Sequence, residues 1–164
     1  MYTELSLYID GHFIGADQRD CLDVVNPATE EVIGKLPTAT TEDLDLALNA
    51  AHKAFQSWRR SSPLERSKIL RKVAELTRER VDEIARNITL DMGKPLAEAR
   101  TEVLNCAEQA EWHAEECRRI YGRTIPPRVE GVRQFVTKEP VGVCVAFTPW
   151  NFPYNQAIRK MVAA

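Results

Sequence analysis

Seven consecutive residues near the C-terminus, Val141-Gly142-Val143-Cys144-Val145-Ala146-Phe147, carry no polar side chain. A strand with one wet face alternates polar and apolar positions. An unbroken apolar run of this length predicts a strand covered on both faces, as in a parallel sheet. Such a strand needs a parallel neighbour, reached through a crossover of about a dozen residues or more. Only residues 148–164 follow Phe147, enough for a loop and the opening of a helix over residues 158–164. The chain therefore reads as a truncated α/β fold that stops soon after its first sheet strand.

Upstream, the first forty residues read as β-hairpins. Leu7-Tyr8-Ile9 and Phe13-Ile14 flank Asp10-Gly11, and glycine accepts the positive φ of a tight primed turn. Val24-Val25 and Val32-Ile33 flank Asn26-Pro27-Ala28-Thr29, where Pro27 removes a ladder donor and suits a turn.

Helical spacing then takes over. Thr40 is an N-cap with Asp43 three residues on, and Leu44, Ala47, Leu48, Ala51, Phe55 and Trp58 form one apolar stripe. Ser62, Pro63 and Glu65 open a second helix as cap, first helical residue and capping-box acid. Its stripe is Ile69, Val73, Leu76, Ile84 and Ile88, and Gly93 with Pro95 marks its end. A third helix runs from Pro95 to Tyr121 through Ala99, Val103, Cys106, Ala110, Cys117 and Ile120, with Gly122 as the stop. After Pro126-Pro127, Val132, Gln134, Val136 and Lys138 alternate with Arg133, Phe135 and Thr137, the pattern of a strand exposed on at least one face.

In open α/β sheets ligands sit at the carboxyl ends of the strands, which directs attention to Thr148-Pro149-Trp150-Asn151-Phe152-Pro153. Two prolines stiffen this loop and Asn151 places a carboxamide donor on it. A preorganised neutral donor is what an oxyanion hole requires. The competing reading is that Asn151 merely caps the coming helix.

Other classes of function find little support. A formal net charge of −2 gives no electrostatic reason for a nucleic-acid or anionic-membrane partner. No apolar run approaches the roughly 18 residues of a membrane span, and no secretory start is present, so a cytoplasmic location is the default. Cys21, Cys106, Cys117 and Cys144 form no C-x-x-C pair and no metal-ligand rhythm with the three histidines. They read as reduced, buried hydrophobes, Cys144 inside the apolar strand and inert there.

Glu139-Pro140-Val141-Gly142-Val143 followed by residues 148–153 resembles the signature segment of the aldehyde dehydrogenase superfamily. The likeness covers essentially the whole chain: Asn26-Pro27-Ala28-Thr29 with Val32-Ile33-Gly34, Ala54-Phe55 with Trp58, Glu65-Arg66, and Asp91-Met92-Gly93-Lys94-Pro95 recur in the same order. The resemblance implies a Rossmann-like α/β fold. Residues 1–121 would then be the N-terminal part of the cofactor-binding domain, 122–140 an oligomerisation strand segment, and 141–164 the start of the cofactor-binding sheet. It implies that Asn151 stabilises the thiohemiacetal oxyanion, and that Phe147, Thr148, Pro149 and Trp150 line NAD or NADP. The nucleophilic cysteine and general-base glutamate are expected beyond Ala164, so the chain alone should be inactive.

Arg159-Lys160 resembles the succinate-semialdehyde branch. Arg159 lies eight residues after Asn151, about two helical turns along, where a guanidinium could hold a distal carboxylate; a plain surface cation is the alternative. The expected partners are a small-molecule aldehyde and, through the 133–138 strand, a second copy in a dimer or tetramer. A non-catalytic interaction module derived from the same family is the competing function.

Overall fold

Asp10 and Gly11 take left-handed φ values of 49° and 84°, the backbone of a primed turn, and close β1 (Ser6–Ile9) onto β2 (His12–Gly15). The computed structural model describes residues 2–164. A second antiparallel ribbon joins β3 (Cys21–Val25) to β4 (Val32–Pro37), with a bulge between Val24 and Val25. The Asn26 side-chain oxygen accepts from the Ala28 amide at 3.0 Å, a local bond that favours this turn.

Both expected capping boxes form. Thr40 and Asp43 open α1 (Thr41–Trp58), while Ser62 and Glu65 open α2 (Pro63–Glu79). Asp43 also anchors the segment before β3, since Arg19 Nε and Nη2 donate to its two oxygens at 2.8 and 2.7 Å. The guanidinium, helped by the Thr40 amide, holds the carboxyl well below the usual carboxylate range. A depressed folded-state pKa contributes stability above the ordinary value, which is lost as pH falls through it toward the folded one. Thermal melts should therefore show Asp43→Asn with a lower Tm at neutral pH and a flatter decline from about pH 5 to about pH 2. Parallel Tm curves for the two proteins would contradict this.

The helical part is built on α4 (Leu96–Glu116), which packs against α2, α3 (Val81–Met92) and α5 (Pro153–Ala163). Ala99, Val103, Cys106, Ala107, Ala110 and Ala114 are its buried face. Side chains this small let three helices approach one. One cluster joins Ala74, Cys106, Ala107 and Ala110 to Ile158 and Val162; a second joins Ala85, Ile88, Ala99 and Val103, and Tyr154 packs on both. Across the wet rim, Arg78 pairs with Glu111 through two bonds of 2.7 Å, an exposed contact of modest worth.

Several expectations need correction. The second helix is two, broken at Arg80, where neither Gly nor Pro gives warning. Its buried face centres on Ser67, Ala74 and Thr77, whereas Ile69 is 49% exposed; small polar residues face inward because Thr77 finds the Tyr154 hydroxyl at 3.0 Å. The third helix ends at Glu116 in a short 3-10 turn, leaving Cys117 half-buried and Ile120 exposed. The 133–138 strand is reduced to β6 (Gln134–Val136), paired antiparallel with β5 (Arg123–Ile125).

The largest difference is at residues 141–147, which form no strand. Val141 is 92% exposed and Val145 67%. A strand exists only through its hydrogen-bonded neighbours, and among the described residues none lies beside this run. The apolar stripe of α1 is largely uncovered in the same way, with Leu44, Leu48 and Trp58 exposed. A compact monomer of 18.6 kDa exposes about 8,200 Å². This chain exposes 12124 Å². Its apolar surface is thus far from closed. No helix among the described residues is long and apolar enough to cross a membrane.

Candidate active site

The loop of residues 148–152 joins the uncovered apolar run to α5, and Pro153 takes the first helical position, where its missing N–H has no intrahelical role. The helix thus begins five residues earlier than the expected start at Ile158. Phe152 is the N-cap residue and contributes no side-chain cap. The cap comes from α4. Glu102 Oε1 accepts from the amides of Tyr154 at 3.1 Å and Asn155 at 3.0 Å. A carboxylate there meets two otherwise unpaired donors and the positive end of the helix dipole.

Glu102 Oε2 pairs with Lys94 Nζ, and the two side chains are 1% and 8% exposed. Lys94 is delivered to this spot by local geometry: Gly93, at φ 76°, ends α3 in the left-handed conformation, and Pro95 opens α4. Its ammonium also donates to the Asn151 carbonyl at 3.0 Å and stands 3.8 Å from the Phe152 ring centroid, a cation–π distance. One buried ion pair therefore holds the loop at residues 151, 152, 154 and 155.

Asn151 is tied through its main chain, and its side chain remains exposed. Among the described residues the carboxamide has no hydrogen-bond partner. The helix-capping alternative for Asn151 is not realised, because Glu102 fills that role. Phe147 is 86% and Trp150 76% exposed, and Thr148 and Pro149 are exposed beside them. Lys160 donates back to the Phe147 carbonyl. Arg159 is exposed on α5. The count of two helical turns from Asn151 does not apply to it, since the helix starts only at Pro153.

Two surface hollows contain none of these residues. One, of about 590 Å³, lies between Trp58 and Ile69; the other, of about 440 Å³, lies along the β5–β6 ribbon. The loop is an open wall. Lys94 and Glu102 are the site residues that the sequence did not single out. Lys94 sits inside the Asp91–Pro95 family motif, where nothing local gives it a role. Glu102 had a signal: an acid three residues after Ala99 and four before Cys106, on an otherwise apolar stripe.

The aldehyde dehydrogenase family model matches residues 13–164. The chain belongs to the aldehyde dehydrogenase family. A glutarate-semialdehyde dehydrogenase of Pseudomonas putida is 46% identical over 153 residues, which is 93% of this chain and 32% of the relative. The succinate-semialdehyde dehydrogenase (NADP(+)) of Escherichia coli is 42% identical over 152 residues, 93% of this chain and 32% of the relative. The crystal structure of an aldehyde dehydrogenase from Brucella melitensis biovar abortus 2308 superimposes with a TM-score of 0.92 at 42% identity, covering 96% of this chain and 32% of that one. The chain thus spans about a third of the length of the relatives it matches, and its fold is the N-terminal part of theirs.

The cysteines of this family member differ from the uniform burial expected. Burial, reinforced by the neighbouring Glu102 charge, pushes the Cys106 thiol up to about 12. Cys144 is exposed, within the run that forms no strand. Iodoacetamide followed by peptide mass spectrometry should therefore alkylate Cys144 of this chain more than about tenfold faster than Cys106. Equal rates would show that the 141–147 run is covered.

Proposed function

We propose that this chain supplies the oxyanion donor and one wall of the nicotinamide cleft in an NAD(P)-dependent aldehyde dehydrogenase that oxidises an acidic semialdehyde to a dicarboxylic acid. The observation that carries the reading is Asn151, an exposed carboxamide with no partner, on a loop whose main chain is tied to a buried ion pair. When a thiolate adds to an aldehyde, negative charge develops on the carbonyl oxygen. Asn151 donates a side-chain N–H to that oxygen, and because the loop is already held, little reorganisation accompanies the reaction.

The nucleophile and general base come from outside this chain. Support comes from the cysteines present: Cys106 is buried with a raised pKa, Cys21 donates to the carbonyls of Ala16 and Arg19, and Cys144 to that of Gly142. None hydrogen-bonds a histidine among the described residues. On this reading the chain alone is inactive.

Residues 147–150 fit one side of a nicotinamide dinucleotide, offering two exposed aromatic faces and main chain not engaged in a ladder. A bound oxidised nicotinamide would accept the hydride that leaves the former aldehyde carbon. Phe147, Thr148, Pro149 and Trp150 contribute contact surface and exclude water from one face. The β5–β6 ribbon is proposed to meet a second copy in a homo-oligomer.

The substrate class follows the relatives named for glutarate and succinate semialdehydes, each with a carboxylate distal to the carbonyl. Arg159 is proposed to receive that carboxylate. Steady-state assays of the full-length protein should show reduced nicotinamide forming with succinate or glutarate semialdehyde. Arg159→Leu should raise KM for succinate semialdehyde by about tenfold or more, the loss of one charge-assisted pair, with little change for a neutral aldehyde. Equal effects on both substrates would remove the role of Arg159; a full-length protein that turned over no aldehyde would remove the reading itself.

A further inference from the structure

Among the ion pairs of the described residues, Lys94–Glu102 stands apart. Both its side chains are less than a tenth exposed, whereas each of the others has at least one partner a quarter or more exposed. Burying two charges is costly, and such a pair is weak evidence for stability in its own right. What distinguishes this one is what it touches. Its atoms reach the Asn151 carbonyl, the Phe152 ring and the amides of Tyr154 and Asn155, four of the five residues from 151 to 155. The loop has little else to hold it. Of residues 148–152, only Phe152 takes part in a backbone bond outside the pair's reach, its carbonyl accepting from Gln156.

We propose that Lys94 and Glu102 are positioning residues for Asn151, fixing the direction in which its carboxamide points. The proposal rests on Asn151 as oxyanion donor. The Lys94 ammonium sets the orientation of the peptide plane after Asn151 by holding its carbonyl, and it anchors the next side chain, Phe152. Glu102 fixes the start of α5 and so the far end of the same loop. Because the main-chain carbonyl takes the bond, the side-chain amide remains free for substrate. Neither Lys94 nor Glu102 touches the reacting atoms. Their influence passes through the backbone of residue 151, where a displacement of about 1 Å can cost on the order of a hundredfold in rate.

The test is a double-mutant cycle in the full-length protein, read in kcat and KM. Lys94→Met keeps the apolar stem and removes the charge and the donor, leaving Glu102 capping α5. It should lower kcat by about tenfold to a hundredfold with KM changed less than about twofold. In the Asn151→Ala background the same change should lower kcat by less than about twofold, since there is no carboxamide left to misplace. A purely structural role would lower stability equally in both backgrounds and leave the kcat losses additive. Should Lys94→Met fail to fold because it leaves the Glu102 carboxylate unpaired, Lys94→Met combined with Glu102→Gln serves instead: the carboxamide keeps an oxygen acceptor for the Tyr154 and Asn155 amides and no buried charge is stranded.

The outcomes separate. If Asn151→Ala leaves kcat unchanged, the oxyanion reading falls and the positioning role with it. If Asn151→Ala lowers kcat but the Lys94 effect is absent, or is additive in both backgrounds, only the positioning role is overturned.

Discussion

Asn151→Ala in the full-length protein is expected to lower kcat by about 100- to 1,000-fold while KM for the aldehyde moves little, the equivalent of about 2.7–4 kcal/mol of transition-state stabilisation. The size follows from where charge appears. The ground-state aldehyde oxygen carries only a partial charge, so a donor aimed at it contributes little to binding. Once the carbonyl carbon becomes tetrahedral, the oxygen is anionic and the same donor is worth far more. A loss falling equally on kcat and kcat/KM identifies an interaction made only in the transition state. On the proposed reading the upper part of the range is expected, because the loop is held at the residue's own carbonyl and on its C-terminal side, so the backbone that carries the carboxamide is fixed before the substrate arrives. A loss smaller than about tenfold would argue that another group bears the charge.

Glu102→Leu should destabilise the folded chain by about 3–5 kcal/mol, because it leaves the Lys94 ammonium buried without its counter-charge. It also strips the first amides of α5 of their acceptor. Urea unfolding followed by far-ultraviolet circular dichroism measures this as a lower midpoint at unchanged slope. The informative comparison is the double variant Lys94→Met with Glu102→Leu, in which no buried charge is stranded. It should regain part of the lost stability, since apolar replacement of both partners of a buried pair is often close to neutral. It should not regain all, because the α5 amides still lack an acceptor. A double variant less stable than Glu102→Leu would show that the two side chains are not coupled as the geometry indicates.

The local elements were legible where a single residue carries a strong backbone preference. Asp10-Gly11 announced its hairpin, Thr40 with Asp43 and Ser62 with Glu65 their helix starts, and Gly93 a helix end. The signature segment around Asn151 was legible as a family motif, and the family follows from it. Illegible were features that depend on a partner distant in the chain. Ser67 and Thr77 are buried through contacts with other helices, so a hydrophobic-stripe reading displaced the inner face of α2. The break at Arg80 has no residue signal. The α5 cap is supplied by a side chain more than fifty residues away, so no window around Phe152 could reveal it.

What the amino-acid order alone determined is the set of turns, caps and helix-forming stretches, and the placing of an amide donor between two prolines, because φ preference and side-chain reach act over three or four residues. Only the tertiary arrangement decided which of these stretches are covered and what holds the donor. Seven apolar residues from Val141 specify a strand's chemistry but cannot make one without neighbours to accept their hydrogen bonds, and they lie exposed. Lys94 and Glu102, ordinary charged residues in the linear sequence, acquire their meaning because the packing of α3, α4 and α5 removes both from water and sets them against the backbone of Asn151.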